Sequence, residues 1–389
     1  MPEHSPQYET AYQISVLTDQ SAFTALREEW EDLRRRSPHG TVYNSWEWMH
    51  SWWQVYGADK KLRLITVRRA ETGQLVGLAP FMRGKRVRGR KRMQRDTLAL
   101  IGTGEGPQAE GLDLLADAAC ISQVVAAIWQ ACTDLRSEWR QLQFDDLRLG
   151  QTGLDLLANQ ILQEPYLALF ETHRRCLIGE LPDTFERYVA QLPSKEWRKL
   201  VRRYMKRMGP EGCFTPLSYT TAPDQDTLKH WVCFLARHSI EVQRHKGQSS
   251  AWSDPRFHTC MMSIITLLAE RRQVWLHALR AGDRDVAVRI GFVAGGAYEA
   301  YQSAYDVEFA EESPGHCLRL LSIKDAIEAR LTSFNMGSAD YAYKSRYFPH
   351  TRPLGTLTAV PADADGRSRL GSELLQRGWR QRLKAWLKR

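Results

Sequence analysis

Two hydrophobic spacings alternate along the chain. Strand-like runs, short and apolar or alternating apolar with polar, occur in the first half at Tyr12–Leu17, Leu62–Val67, Leu75–Phe81, Thr97–Ile101, Gln141–Phe144 and Tyr166–Phe170. In the second half they fall at Cys176–Ile178, Val274–Ala278, Asp285–Val293, Tyr298–Asp306, Ser333–Met336 and Thr356–Val360. Helical spacing lies between them. Ser21 opens a helix with Phe23, Leu26, Trp30 and Leu33 on one face, Thr41–Tyr56 reads as a Trp-rich helix, and Ser122–Leu135 and Thr152–Leu162 follow. Several helices fill the stretch from Ile178 to Glu270. One of them, Ser194–Met208, carries the apolar stripe Trp197, Leu200, Val201, Tyr204 and Met208. The turns Glu71-Thr-Gly73 and Ala294-Gly-Gly-Ala297 close hairpins.

The resulting order is strand, two helices, hairpin, strand, helix, strand, helix, strand, and its main features recur after residue 170. The pattern predicts an α/β protein with mixed sheets, built as two related domains over 12–170 and 171–360 with a boundary near Pro165–His173. A polar linker, Pro361–Arg367, then leads to a basic helix with Leu375, Trp379, Leu383 and Trp386 on one face, so 361–389 stands outside the repeat.

The stretch Asp285–Pro349 is the most organised. After the hairpin, Ser313 reads as a helix N-cap, Pro314 as a first-turn residue, and Leu318, Leu321, Ile327 and Leu331 as the buried face. A helix that starts just beyond a strand aims unpaired N–H groups and its positive end at the space past the strand, a cradle for an anion. A plain strand–helix–strand crossover has the same pattern and is the commoner case.

Composition narrows the class. The 389 residues, 43% hydrophobic and 25% charged, suit two globular domains. No run nears the roughly 20 apolar residues of a membrane span, and the N-terminus lacks a basic region followed by an apolar core, so a cytoplasmic location is expected. Seven scattered cysteines without a Cys-x-x-Cys pair point to reduced thiols and no metal site. A net charge of +9 favours a polyanionic partner: a nucleotide cofactor, a nucleic acid or an acidic membrane face. Arg83–Arg95 reads as a solvated loop. Gly102–Gly106 lacks the Lys-Ser/Thr of a phosphate loop and is taken as a turn, and His238 and His245 have no metal-ligand spacing.

The motifs Ala300-Tyr-Gln-Ser-Ala-Tyr-Asp306, Ser313-Pro-Gly315 and Gly337-Ser-Ala-Asp-Tyr-Ala-Tyr-Lys344 stand in the second half. The first half adds Trp46-Glu-Trp48, Trp52-Trp53, Gly77–Pro80 and Leu100–Gly104. In this order, over Ile14 to Val360, the chain resembles GNAT-superfamily acyltransferases of the FemAB-related, CelD-like kind found in bacterial polysaccharide and envelope biosynthesis. The resemblance implies two tandem GNAT-like acyl-CoA N-acyltransferase domains, with acyl-CoA (acetyl-CoA or longer) as co-substrate between two splayed parallel strands. Mapped by that resemblance, Ala300–Asp306 is one lip, bringing Gln302 and Ser303 to the cofactor, and Phe334–Gly337 is the other. The helix start supplies Ser313, Gly315, His316, Cys317 and Leu318 to the diphosphate. Asp306 becomes the first candidate base and His316 the second, while Tyr305, Tyr343 and Lys344 orient the acceptor or protonate the leaving thiolate. Trp46, Trp48, Asp340 and Tyr343 fall on the acceptor side.

The implied reaction is attack by an amine or hydroxyl of a small or lipid-linked envelope or polysaccharide precursor. The basic tail suits contact with an anionic membrane, the inner face of the cell membrane, and DNA is not an expected partner. The chain departs from the family where the usual Arg/Gln-x-x-Gly-x-Gly/Ala loop is replaced by Glu311-Glu-Ser-Pro-Gly-His316, whose carboxylates repel a diphosphate. Two alternatives therefore stay open. One is an aminoacyl-tRNA-dependent FemAB-type transferase, with the cations of Lys195–Arg207 on the tRNA; the other is a non-catalytic accessory of polysaccharide synthesis.

Overall fold

The computed structural model describes residues 11–371 apart from 39, 85–86, 89–90, 93–95, 149–151, 164, 222, 246, 339–342 and 369–370. It divides into two compact units: residues up to His173 together with those from Gly355 onward, and Arg174–Leu354. The sequence pattern had assigned 171–360 to the second domain. Gly355–Pro361 instead belongs with the first unit.

The first unit runs β1 (Tyr12–Leu17), α1 (Gln20–Ala25), α2 (Arg27–Arg36), α3 (Trp46–Tyr56), β2 (Lys61–Arg69) and β3 (Leu75–Gly84). The expected helix from Ser21 is two helices. Asp19 is the cap, accepting the Ala22 N–H at 2.8 Å, and the helical ladder is re-started at Leu26. Thr41–Tyr56 also divides: Val42–Asn44 is a single 3₁₀ turn, and the α-helix begins after Ser45, whose hydroxyl accepts the Trp48 N–H at 3.2 Å. Within the basic stretch after β3, Val87–Arg88 (β4) and Lys91–Arg92 (β5) pair antiparallel. Then come β6 (Thr97–Leu100), β7 (Leu115–Ala116), α4 (Ile121–Asp134), β8 (Gln141–Arg148) and α5 (Thr152–Gln163).

The chain enters the second unit along β9 (Tyr166–Glu180), a single strand where two had been expected. It continues through α6 (Phe185–Gln191), α7 (Lys195–Lys206), β10 (Thr215–Tyr219), α8 (Gln225–His245), α9 (Pro255–Glu270), β11 (Val274–Ala281), β12 (Arg284–Ala294) and β13 (Ala297–Tyr305). A 3₁₀ segment, Val307–Glu312, leads into α10 (Pro314–Glu328), then β14 (Ser333–Asn335), and the chain leaves along β15 (Thr351–Pro361). The pattern missed β10, since Pro216 and Ser218 interrupt its apolar spacing; its pairing with β11 makes it a strand.

Each unit repeats one pairing scheme. In the first, β1–β2, β2–β3 and β3–β6 pair antiparallel and β6–β8 parallel, with α4 as the crossover. In the second, β10–β11, β11–β12 and β12–β13 pair antiparallel and β13–β14 parallel, with α10 as the crossover. The helices between the first two strands, α1–α3 or α8–α9, complete the correspondence.

Tryptophans fill the first core. Trp30 donates its indole N–H to the Asn44 carbonyl at 2.8 Å, and Trp46 donates to that of Phe23 at 2.9 Å. Burying such rings contributes about 2–3 kcal/mol each. In the second unit α10 is buried on nearly every side, by Leu318, Leu320, Ile323 and Ile327 among others, as suits a helix enclosed by sheet and other helices. Two glycines let aromatic rings close in. A Cβ on Gly179 would lie 1.7 Å from the Phe348 ring, and one on Gly291 2.2 Å from the Tyr298 phenol.

Candidate active site

The second unit holds a parallel pair that opens. β13 and β14 match Ala297 with Ser333, Tyr298 with Phe334 and Glu299 with Asn335, and there the ladder stops. β13 runs on from Ala300 to Tyr305, while the Met336 N–H turns away to the Leu177 carbonyl at 2.8 Å. Tyr301 is a bulge residue, since Ile290 faces Gln302 and Gly291 faces Ala300, which re-aims the strand beyond the opening. The last matched pair carries chemistry that the sequence pattern did not single out. Glu299 is 3% exposed and accepts a hydrogen bond from the Asn335 amide at 2.6 Å. The signal was faint: one carboxylate inside an aromatic strand.

Beyond β13 the expected base is occupied otherwise. Asp306 caps the 3₁₀ segment, accepting the Glu308 N–H at 3.1 Å, and pairs with Arg284 at 2.5 Å. Burial alone would raise its carboxyl, yet the Glu308 N–H and the Arg284 guanidinium outweigh that and hold it below the usual carboxylate range. Ser313 is not the side-chain cap the sequence suggested. It sits in the left-handed region at φ 58° and makes no cap hydrogen bond; its carbonyl accepts the His316 and Cys317 N–H groups instead. At Gly315 a Cβ would fit without a clash, in ordinary contact with the Tyr305 ring at 3.9 Å.

His316 is central to the helix start. Its ring stacks on Tyr204 at 4.9 Å and meets Trp197 and Tyr343 edge-on at 5.7 and 6.0 Å. Burial, then the nearby Arg319 and Arg346, push its pKa down to about 4, so it is neutral at pH 7. Its Nδ1 lies 2.5 Å from the Tyr347 hydroxyl. Burial pushes that phenol up to about 12 and its oxygen already faces Arg319, so the phenol donates to Nδ1 and the imidazole proton sits on Nε2. A neutral imidazole of this kind is a hydrogen-bond donor rather than a base.

The remaining expected residues lie as follows. The Gln302 carbonyl accepts the Trp252 indole N–H at 2.5 Å, and Ser303 is exposed on β13. Cys317 and Leu318 are fully buried, and burial pushes the Cys317 thiol up to about 12, which rules out a ready thiolate. The Tyr343 hydroxyl accepts from Arg319 at 3.1 Å. Lys344 is buried, with its ammonium donating to the Met336 carbonyl at 2.7 Å and to that of Gly337 at 3.3 Å. It thereby ties down the backbone just after β14. Asp340 lies outside the described residues. Trp46 and Trp48 belong to the first unit and pack in its core, 4% and 0% exposed. Beside the α10 cluster a cavity of about 870 Å³ is lined by Gly179, Tyr188, Leu192, Tyr347, Phe348 and His350, among others. Among the described residues no group of three or more His, Cys, Asp or Glu is placed to hold a metal, and no helix is long and apolar enough to cross a membrane.

Residues 195–345, which contain the opening pair and α10, match the family described as "Acetyltransferase (GNAT) domain". The match lies wholly within the second unit, so this segment is similar to a GNAT acetyltransferase domain. The protein is accordingly a transferase of the acyl-transferring class, and its repeated pairing scheme makes it a tandem of two GNAT-like mixed α/β units. Solved structures share the fold at low identity. FemX aligns at 13% identity over 89% of this chain and 96% of its own, with a TM-score of 0.60. A conserved protein of unknown function from Bacteroides thetaiotaomicron aligns at 12% identity over 90% and 100%, with a TM-score of 0.54. No curated protein matches the sequence.

Proposed function

We propose that the second unit is an acyl-CoA-dependent N- or O-acyltransferase acting on a small or lipid-linked envelope or polysaccharide precursor. The observation that carries this reading is the parallel β13–β14 pair that opens after Glu299 and Asn335 inside an acetyltransferase domain. Past the opening, the edge of β13 offers peptide groups to the amides of a pantetheine arm, as a strand edge does to an added strand. Acyl transfer then needs alignment, a base for the nucleophile and a donor for the oxyanion. Glu299, beside the opening, is the base in this proposal, because Asp306 is held by a cap and an ion pair. The Nε2–H of neutral His316 is the proposed oxyanion donor. The tail from Leu370, outside the described residues apart from Gly371, is proposed to hold the protein at an anionic inner membrane face.

A second reading has an observation of its own. Lys195, Lys199, Arg202 and Lys206 recur at helical spacing on α7, are exposed, and make no ion pair among the described residues. Such a stripe fits a polyphosphate backbone, and hence an aminoacyl-tRNA donor. Isothermal titration of the full chain with acetyl-CoA and longer acyl-CoAs decides. Micromolar binding is expected. Silence toward every acyl-CoA with retention of charged tRNA would move the second reading ahead, and no binding of either would leave a non-catalytic accessory.

A further inference from the structure

The core of the second unit contains two arginines that the proposed chemistry does not use. Arg289 projects from β12, opposite His277 on β11 and Ser303 on β13, and is 4% exposed. Its Nε is buried without a hydrogen-bond partner, and among the described residues no carboxylate pairs with it. Arg319, on the second turn of α10, is 7% exposed. Its guanidinium lies 4.7 Å from the Tyr343 ring and 5.0 Å from the Tyr347 ring and donates to the Tyr343 hydroxyl, and among the described residues it too lacks a carboxylate partner. α10 packs against β12, so the two arginines stand on facing elements, and burial first and Arg319 next lower Arg289 to about 10, with phenols as the groups that oppose this.

Taking a guanidinium out of water is unfavourable unless a counter-charge offsets it. Arginine cannot escape that cost by losing its proton at neutral pH. Surface solubility does not explain the pair either, since neither side chain is exposed. What a pair of buried, unneutralised forks suits is a planar or tetrahedral oxyanion bound by both. The cavity of about 870 Å³ meets the cluster at one wall, Tyr347. Tyr347 packs against Arg319 and faces the cavity, and Tyr188, also a wall, reaches the Tyr347 carbonyl at 3.4 Å.

We propose that Arg289 and Arg319 form a binding site for a phosphate or diphosphate group of a substrate, beside the cavity that Tyr347 walls. The site rests on the transferase reading only for the word substrate, because binding is measured without turnover. The group has two possible sources, the donor or a phosphorylated acceptor, and the same experiment separates them.

The test is isothermal titration of the full chain with inorganic pyrophosphate at low ionic strength, for the wild type and Arg289→Met, with melting curves of both in the absence of ligand. The wild type should bind, and Arg289→Met should bind at least tenfold more weakly. Without ligand the variant should melt no lower than the wild type, because an apolar chain of similar length replaces an unpaired charge. Arg319→Lys, which keeps charge but loses the fork, should weaken binding several-fold. Displacement of pyrophosphate by CoA assigns the site to the donor, and displacement by UDP to the acceptor. Absence of pyrophosphate binding, equal affinity in Arg289→Met, a ligand-free variant that melts well below the wild type, or displacement by neither nucleotide would each overturn the proposal. Pyrophosphate binding without acetyl-CoA binding would leave it standing while removing the CoA-dependent reading.

Discussion

At the start of α10 one histidine is held neutral by its surroundings, and this has a consequence for stability. His316 has a folded pKa of about 4 against the ordinary 6.5. Between those values the unfolded chain binds the proton and the native chain does not, so stability rises with pH across that window. The contribution is present above about pH 6.5 and is lost as pH falls toward 4. Part of the ring remains accessible, so a discounted magnitude is about 1–2 kcal/mol. Melting curves of wild type and His316→Gln between pH 4 and 7.5 check it: the wild type should lose more stability on acidification. Parallel curves would mean that the ring takes up its proton in place. Buried His277 is shifted the same way and acts equally in both proteins. The sequence showed that a histidine follows Gly315. It could not show that the rings of Trp197, Tyr204, Tyr343 and Tyr347 would bury it beside Arg319 and Arg346 and so suppress its charge.

At the scale of elements, the opening of β13 from β14 places a buried carboxylate where two strands part. Glu299→Gln tests whether that position matters to the reaction. Glutamine keeps an oxygen to accept the Asn335 amide hydrogen bond, so the melting temperature should stay within a few degrees. Removing a general base typically costs 10²–10⁴-fold in rate, so turnover should fall about a hundredfold or more with little change in KM. Near-wild-type turnover at neutral pH would assign the base elsewhere. The hairpin β12–β13 and the crossover α10 were legible in the sequence because alternation and helical spacing are local. The element breaks at Leu26 and Val42–Asn44 were not, since single caps and turns decide them. Asp306 illustrates the limit: its place at a strand end is visible in sequence, whereas its engagement by Arg284 and the Glu308 N–H belongs to the folded chain.

At the scale of the whole molecule, a net charge of +9 and a basic Trp-bearing tail bear on where the protein works. Each cation near an anionic bilayer contributes about 1 kcal/mol, so the tail should shift the full chain onto vesicles rich in anionic lipid and not onto neutral ones. Co-sedimentation of the full chain against a chain ending at Pro361 checks this; equal sedimentation of the two ends the membrane idea. The sequence by itself determined the tandem α/β plan, the alternation of strands and helices, and the placement of a helix start after a strand. Those follow from side-chain periodicity and turn chemistry, which act over a few residues. Only the tertiary structure decided which groups meet. It parted β13 from β14 after three pairs, buried Glu299 at the parting, enclosed His316 in aromatic rings, and left Arg289 and Arg319 without a carboxylate partner among the described residues. Charge, burial and hydrogen-bond partners are properties of a packed environment, and residues far apart in the chain supply that environment.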